Sequence, residues 1–149
     1  MAAGQGLMAG KRGLILGVAN NRSIAYGIAR ECMAQGAEIA LTYQGEQFRK
    51  RVEPLAEELG ADIAGHCDVT DESSLDAVFD GIRSNWGKLD FLVHAIAFSN
   101  KEELDGRYVD TTRDNFLMTM DISVFSFTSI ARRAAELMTE GGSLLTLTY

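Results

Sequence analysis

The segment Gly13-Leu-Ile-Leu-Gly17-Val-Ala-Asn-Asn-Arg-Ser23-Ile-Ala-Tyr-Gly27-Ile-Ala constrains the fold of this chain more than any other. A short apolar run ends in a glycine, a polar loop follows, and Ser23 opens a stretch with helical apolar spacing. A buried strand feeding a helix N-terminus is the first unit of an α/β fold. Such a unit presents orphan backbone N–H groups and the positive end of the helix dipole to an anion, typically a pyrophosphate. Gly17 is expected to allow a tight turn and a close ligand approach, Gly27 to let the helix pack near the strand, and Ser23 to cap the helix or donate to phosphate. The loop is not G-x-G-x-x-G, so taken alone it also admits a tight turn without a ligand.

The same alternation continues along the chain. Strands are expected at 13–16, 38–42, 62–67, 91–95 and 143–148, and helices at 24–35, 47–59 and 73–85, with one long helical stretch from about 111 to 138. Gly36, Gly60, Gly87 and Gly141-Gly142 mark the helix stops, Asp71 and Ser73 offer caps to the third helix, and Pro54 marks a local kink or break in the second. The strands read as continuous apolar runs, as a parallel sheet covered on both faces requires. Repeated β-α units with right-handed crossovers predict an α/β, doubly wound parallel sheet of Rossmann type with strand order 3-2-1-4-5. Leu144-Leu-Thr-Leu-Thr148 reads as a buried central strand, and the sequence stops one residue later. The expectation is therefore that residues 1–149 are the N-terminal part of a single dinucleotide-binding domain, truncated before its last βα units.

Composition narrows the function classes. The net charge of −7 argues against nucleic acid and anionic membranes as partners, since phosphate surfaces need clustered Lys and Arg. No apolar run approaches the roughly 18 residues of a membrane span, and the first ten residues lack the pattern of a signal peptide. Only Cys32 and Cys67 are present, without metal-ligand spacing. That suits a reduced cytoplasmic setting, with no metal site and both thiols buried as small apolar groups.

Candidate binding residues fall at the strand ends. The second strand ends Leu41-Thr-Tyr43-Gln44-Gly45 without the acid that commonly binds ribose hydroxyls, leaving Gln44 as the polar group able to donate and accept. Arg49 and Lys50 follow, as cations for a 2′-phosphate or as the solvated face of the next helix. Asp68 can accept from an adenine amino group while Val69 packs on the ring, or Asp68 can cap the next helix. His94, inside an apolar run, reads as a hydrogen-bonded core histidine rather than a base, and His66 reads the same way. Phe125 and Phe127, after Asp121-Ile-Ser123, read as core or subunit interface. Tyr149, beyond the fifth strand, falls at the ligand-binding edge of the sheet, as a substrate-orienting group or as a boundary residue.

Together, Gly17-Val-Ala-Asn-Asn-Arg-Ser23-Ile-Ala, Leu41-Thr-Tyr-Gln44, Cys67-Asp-Val69, Val93-His-Ala-Ile-Ala-Phe-Ser99, Asp121-Ile-Ser123 and Leu144-Leu-Thr-Leu-Thr-Tyr149 resemble the NADH-dependent enoyl-acyl-carrier-protein reductases of bacterial fatty-acid synthesis. These are a divergent branch of the short-chain dehydrogenase/reductase superfamily. Ordinary members of that superfamily carry T-G-x-x-x-G-x-G and N-N-A-G, and this chain has neither. The resemblance runs from about Lys11 to Tyr149. It implies that Gly17, Ser23 and Ile24 hold the pyrophosphate and nearby ribose, Gln44 the adenosine ribose, and Asp68 and Val69 the adenine, with Ile96 near the nicotinamide. It implies that Ser99 meets the acyl substrate and that Tyr149 is the first of two active-site tyrosines. The second tyrosine and the lysine beyond it are absent from the chain, so it implies a cofactor half-site that does not catalyse alone. Ala95 and Ala97 stand where many members carry Ser and Gly.

The implied activity is hydride transfer from NADH to the β-carbon of a trans-2-enoyl thioester on acyl carrier protein, in a cytoplasmic homotetramer. The apolar Phe125, Phe127, Ile130 and Leu137 are expected to supply subunit contacts. Two other readings stand beside it: a carbonyl-reducing short-chain dehydrogenase, and a nucleotide-binding regulator or inactive fragment lacking the catalytic half.

Overall fold

The computed structural model describes residues 6–148. Five parallel strands form one sheet, β1 (Arg12–Leu16), β2 (Glu38–Tyr43), β3 (Asp62–His66), β4 (Phe91–His94) and β5 (Ser143–Thr146), in the order β3-β2-β1-β4-β5. Helices α1 (Ile24–Ala34), α2 (Gly45–Leu59), α3 (Glu72–Trp86), α4 (Arg113–Met120) and α5 (Ser126–Leu137) alternate with the strands or follow them. The doubly wound topology read from the sequence is the one observed.

Side chains alternate across a strand, so the central strands feed two cores. Leu14, Leu16, Ala40 and Leu92 point to one face and pack with α3 and α5. Ile15, Ile39, Leu41 and Val93 point to the other and pack with α1 and α2. Leu75, Val78, Phe79 and Ile82 on α3 sit at helical spacing and are all buried. Fully burying each large apolar side chain contributes about 1.5–3 kcal/mol, and the buried polar residues of the central strands, Thr42 and His94, fall near their C-terminal ends.

Several sequence expectations need correction. β3 and β5 are the sheet edges, so continuous burial fails there: Ile63, Leu144 and Leu145 are exposed, and β5 is not a buried central strand among the described residues. Gly27 does not permit close helix–strand packing, since a Cβ built there meets nothing within 4 Å. Helix α2 runs through Pro54 without a break. Pro54 lies on the exposed face, where water can satisfy the Lys50 carbonyl that loses its donor. Helix α5 stops at Met138, before Gly141-Gly142. Cys67 is buried as expected, while Cys32 is only half-buried; both are free thiols.

The stretch expected as one helix is interrupted. A π-helical turn, Asp121–Phe125, separates α4 from α5. Side-chain hydroxyls compete with the backbone ladder there. Ser126 Oγ donates to the Ile122 carbonyl (2.6 Å), and Ser123 Oγ both accepts from the Phe98 N–H (3.0 Å) and donates to the Phe98 carbonyl (3.3 Å). Helix α5 is then fastened to α3 by buried Arg133, which donates to Glu72 (2.6 Å), Asp76 and Ser129.

Candidate functional site

The C-terminal ends of β1, β2, β3 and β4 open into one cavity of about 500 Å³. It lies where strand order reverses between β1 and β4, the crevice in which open α/β sheets bind ligands. From β1 and its loop come Gly17, Val18 and Ala19; from β2 and the start of α2, Thr42, Tyr43, Gln44 and Phe48. After β3 come Cys67, Asp68, Val69 and Thr70, and after β4, Ala95, Ile96, Ala97 and Phe98, with Ile122 from the π turn. Asp68 is the one charged residue in this lining.

Gly17 is required on two counts. Its φ of +100° is in the left-handed region, and a Cβ there would strike the Ala95 carbonyl oxygen. The strand-end glycine thus lets β1 and the β4 loop approach each other, which shapes the cavity floor. The following loop is organised by Asn20: its side chain accepts from the Arg22 N–H (2.8 Å), and its carbonyl accepts from Ser23 Oγ (2.6 Å). Ser23 stands at the N-cap position of α1 but makes no capping bond, because its hydroxyl is turned to Asn20. The first turn of α1 carries no acid, so the positive end of its dipole is not neutralised by the helix itself.

The Asp68 carboxyl pKa is lowered from its ordinary value, chiefly by the Thr70 N–H (2.9 Å) and then the Thr70 hydroxyl (2.7 Å). Asp68 does not cap α3; Asp71 does, accepting from the Ser73 N–H (2.9 Å). Gln44 is exposed at the N-cap position of α2, makes no capping bond, and its side chain reaches Asp68, where it helps lower the carboxyl pKa. Arg49 is paired with Glu53 (2.7 Å) and Glu46 (3.5 Å) on the outer face of α2. Burial holds the Cys67 thiol protonated, its pKa pushed up to about 12.

The structure therefore brings Gly17, Gln44, Asp68, Val69 and Ile96 into one cavity lining and leaves Ser23 and Ile24 outside it, at the exposed start of α1. Ser99 also lies outside: its hydroxyl accepts from Asn115 Nδ2 (3.1 Å) and Thr119 Oγ1 (3.0 Å), tying the β4 loop to α4. Tyr149 lies outside the described residues. His94 is a core histidine, fully buried between Thr146 Oγ1 (2.9 Å) and Ser126 Oγ (2.7 Å). His66 is not: it is exposed and accepts from the Gly45 N–H through Nδ1 (3.0 Å). Sequence reasoning missed Phe48, Phe98 and Ile122 in the lining, and Asn115, whose buried Oδ1 accepts from the Asn100 N–H (3.0 Å). Among the described residues no cluster of His, Cys, Asp and Glu has the makings of a metal site. Among the described residues, no helix is long and apolar enough to cross a membrane.

Fold and cavity together define a Rossmann-type α/β domain with its binding crevice at the switch point. Comparison with known proteins narrows the class: the family model described as enoyl-(acyl carrier protein) reductase matches residues 17–149. The chain belongs to the enoyl-(acyl carrier protein) reductase family. It is 66% identical over its full length to the enoyl-[acyl-carrier-protein] reductase [NADH] 1 of Rhizobium meliloti, covering 55% of that protein. The reductase of Anaplasma phagocytophilum, solved in complex with NAD, superposes with a TM-score of 0.93 at 58% identity over 97% of this chain and 55% of its own. The Bacillus cereus enzyme, solved with NADP+ and indole naphthyridinone, also gives 0.93, at 45% identity over 97% of this chain and 57% of its own. The chain thus spans about half the length of the curated relatives it matches.

Proposed function

We propose that this chain is the N-terminal part of a single dinucleotide-binding domain, and that the complete protein is a cytoplasmic enoyl-acyl-carrier-protein reductase using NADH. The observation that carries the reading is the convergence of Gly17, Gln44, Asp68, Val69 and Ile96, from four strand ends, on one cavity. The donor set fits a dinucleotide: an acid-free helix N-terminus suits a pyrophosphate, and a carboxylate beside apolar walls suits an amino-bearing ring. NADH supplies a hydride for the β-carbon of a trans-2-enoyl thioester. The start of α1, with Gly17, Ser23 and Ile24, holds the pyrophosphate and nearby ribose. Gln44 binds the adenosine ribose, Asp68 and Val69 hold the adenine, and Ile96 packs on the nicotinamide side. The backbone at Ser99 meets the acyl chain, and Tyr149 orients the substrate carbonyl. The Ala97 methyl narrows the nicotinamide side of the pocket.

The lining holds no Lys or Arg to meet a 2′-phosphate, which favours NADH over NADPH. The exposed apolar edge at Leu144 and Leu145 supports continuation of the sheet in the complete protein. Exposed Phe116, Leu117, Met120, Val124 and Phe125 on α4 and the π turn support a homotetramer. Ile130 and Leu137 are core residues and contribute nothing to that surface. Acyl carrier protein is the substrate-bearing partner. The test is NADH oxidation by the full-length protein with enoyl and with 3-ketoacyl thioesters. Turnover of the enoyl thioester alone supports the reading; turnover of the ketoacyl thioester alone makes the protein a carbonyl reductase, and binding without turnover makes it a nucleotide-binding regulator.

A further inference from the structure

The tip of β2 poses a question of selectivity. Dinucleotide folds commonly place an acid there, which binds the ribose hydroxyls and repels a 2′-phosphate. Here the tip residue is neutral Gln44, whose amide can donate to a phosphate as readily as to a hydroxyl. The N-terminus of α2 adjoins the tip, but its first turn carries Glu46, which offsets the pull of the helix dipole on an anion. What remains for a 2′-phosphate at this tip is the backbone N–H groups of the helix start.

One donor at this tip is already engaged. Gly45, the first residue of α2, has a φ of +74°, and its N–H donates to His66 Nδ1 (3.0 Å). This N–H is one of the orphan amides of the helix start, the kind of group that binds phosphate oxygens. Strand pairing sets the geometry: Tyr43 on β2 is in register with His66 on β3, and their rings lie 6.1 Å apart. The bond requires Nδ1 to be an acceptor, which places the neutral imidazole proton on Nε2.

We propose that His66 is a specificity-determining residue for the dinucleotide: by occupying the Gly45 N–H, it denies a 2′-phosphate its backbone donor at the strand tip. The nearby carboxylate of Asp68 and the engagement of Arg49 by Glu46 and Glu53 act in the same direction. This rests on the reading of the cavity as an NADH site.

The test compares dissociation constants of NADH and NADPH for the full-length protein and its His66→Ala and His66→Gln variants. His66 is exposed, so neither substitution opens a core cavity. In His66→Ala the Gly45 N–H is released, and NADPH should bind about tenfold tighter, the scale of a hydrogen bond to a charged group, with NADH changed less than about twofold. His66→Gln restores an acceptor and should keep the wild-type ratio. An unchanged ratio in His66→Ala overturns the proposal. So does an equal loss for both dinucleotides, which would make His66 a loop support only. Wild-type protein that binds neither dinucleotide overturns the NADH reading and the inference with it, so the two failures are distinguishable.

Discussion

Replacing His94 by Phe should cost about 2–3 kcal/mol of stability. The histidine has no solvent exposure and joins three elements: Nδ1 meets Thr146 Oγ1 on β5, and Nε2 meets Ser126 Oγ at the start of α5. Ser126 Oγ donates its own proton to the Ile122 carbonyl, so it must accept from Nε2–H. That fixes the tautomer, leaving Nδ1 to accept from the Thr146 hydroxyl. Phenylalanine keeps most of the volume and the neighbourhood of the Phe127 ring, now 5.5 Å away, but makes neither bond. Each lost bond costs about 1 kcal/mol, and the Ser126 oxygen, now short of a donor, adds a desolvation penalty of similar size. Thermal unfolding of the full-length variant should show a fall of roughly 5–10 °C. A double-mutant cycle with Ser126→Ala should return a coupling of about 1 kcal/mol. The pH dependence carries a separate signature. Burial lowers the His94 pKa from its ordinary 6.5, so the unfolded chain takes up this proton first. Stability from this group is complete above about pH 6.5 and is lost as pH falls from there through the folded value; His94→Phe should lack that component. A loss below about 0.5 kcal/mol, or strict additivity in the cycle, would refute the argument.

Two further outcomes follow from the cavity, and a third from the role proposed for Tyr149. Asp68→Asn in the full-length protein should weaken NADH binding about tenfold, since it replaces a charged acceptor with a neutral one; titration by nucleotide fluorescence checks this. Gly17→Ala should destabilise the protein and weaken NADH binding together, because the added methyl meets the Ala95 carbonyl at a φ of +100°; calorimetry and titration on one sample check both. Tyr149→Phe should lower kcat/KM about tenfold, equivalent to roughly 1–2 kcal/mol, with NADH affinity unchanged. A thousandfold loss would make Tyr149 the principal donor to the developing enolate.

What could be read from the sequence, and what could not, divides by the range of the interactions involved. The central strands were legible because burial on both faces leaves its mark residue by residue, as in Leu14-Ile-Leu16 and Leu92-Val93. The edge strands were misjudged because Leu144-Leu145 looks the same in sequence whether or not anything covers it. That Gly17, Gln44, Asp68, Val69 and Ile96 share one cavity lining was legible because a doubly wound sheet brings the ends of β1 to β4 to one crevice, whatever the details of packing. The π turn, by contrast, arises from Ser126 and from Ser123, whose hydroxyl bonds to Phe98 across 25 positions of sequence. No local periodicity records that contact. His66 shows the same limit: a histidine at the end of an apolar strand reads as core until its register with Tyr43 places it against the Gly45 N–H. Such long-range polar bonds set the shape of the crevice, because they fix the strand-tip backbone and the cavity wall at Ile122 that the apolar pattern leaves free. Selectivity between closely similar dinucleotides should therefore depend on residues whose roles only the folded chain reveals.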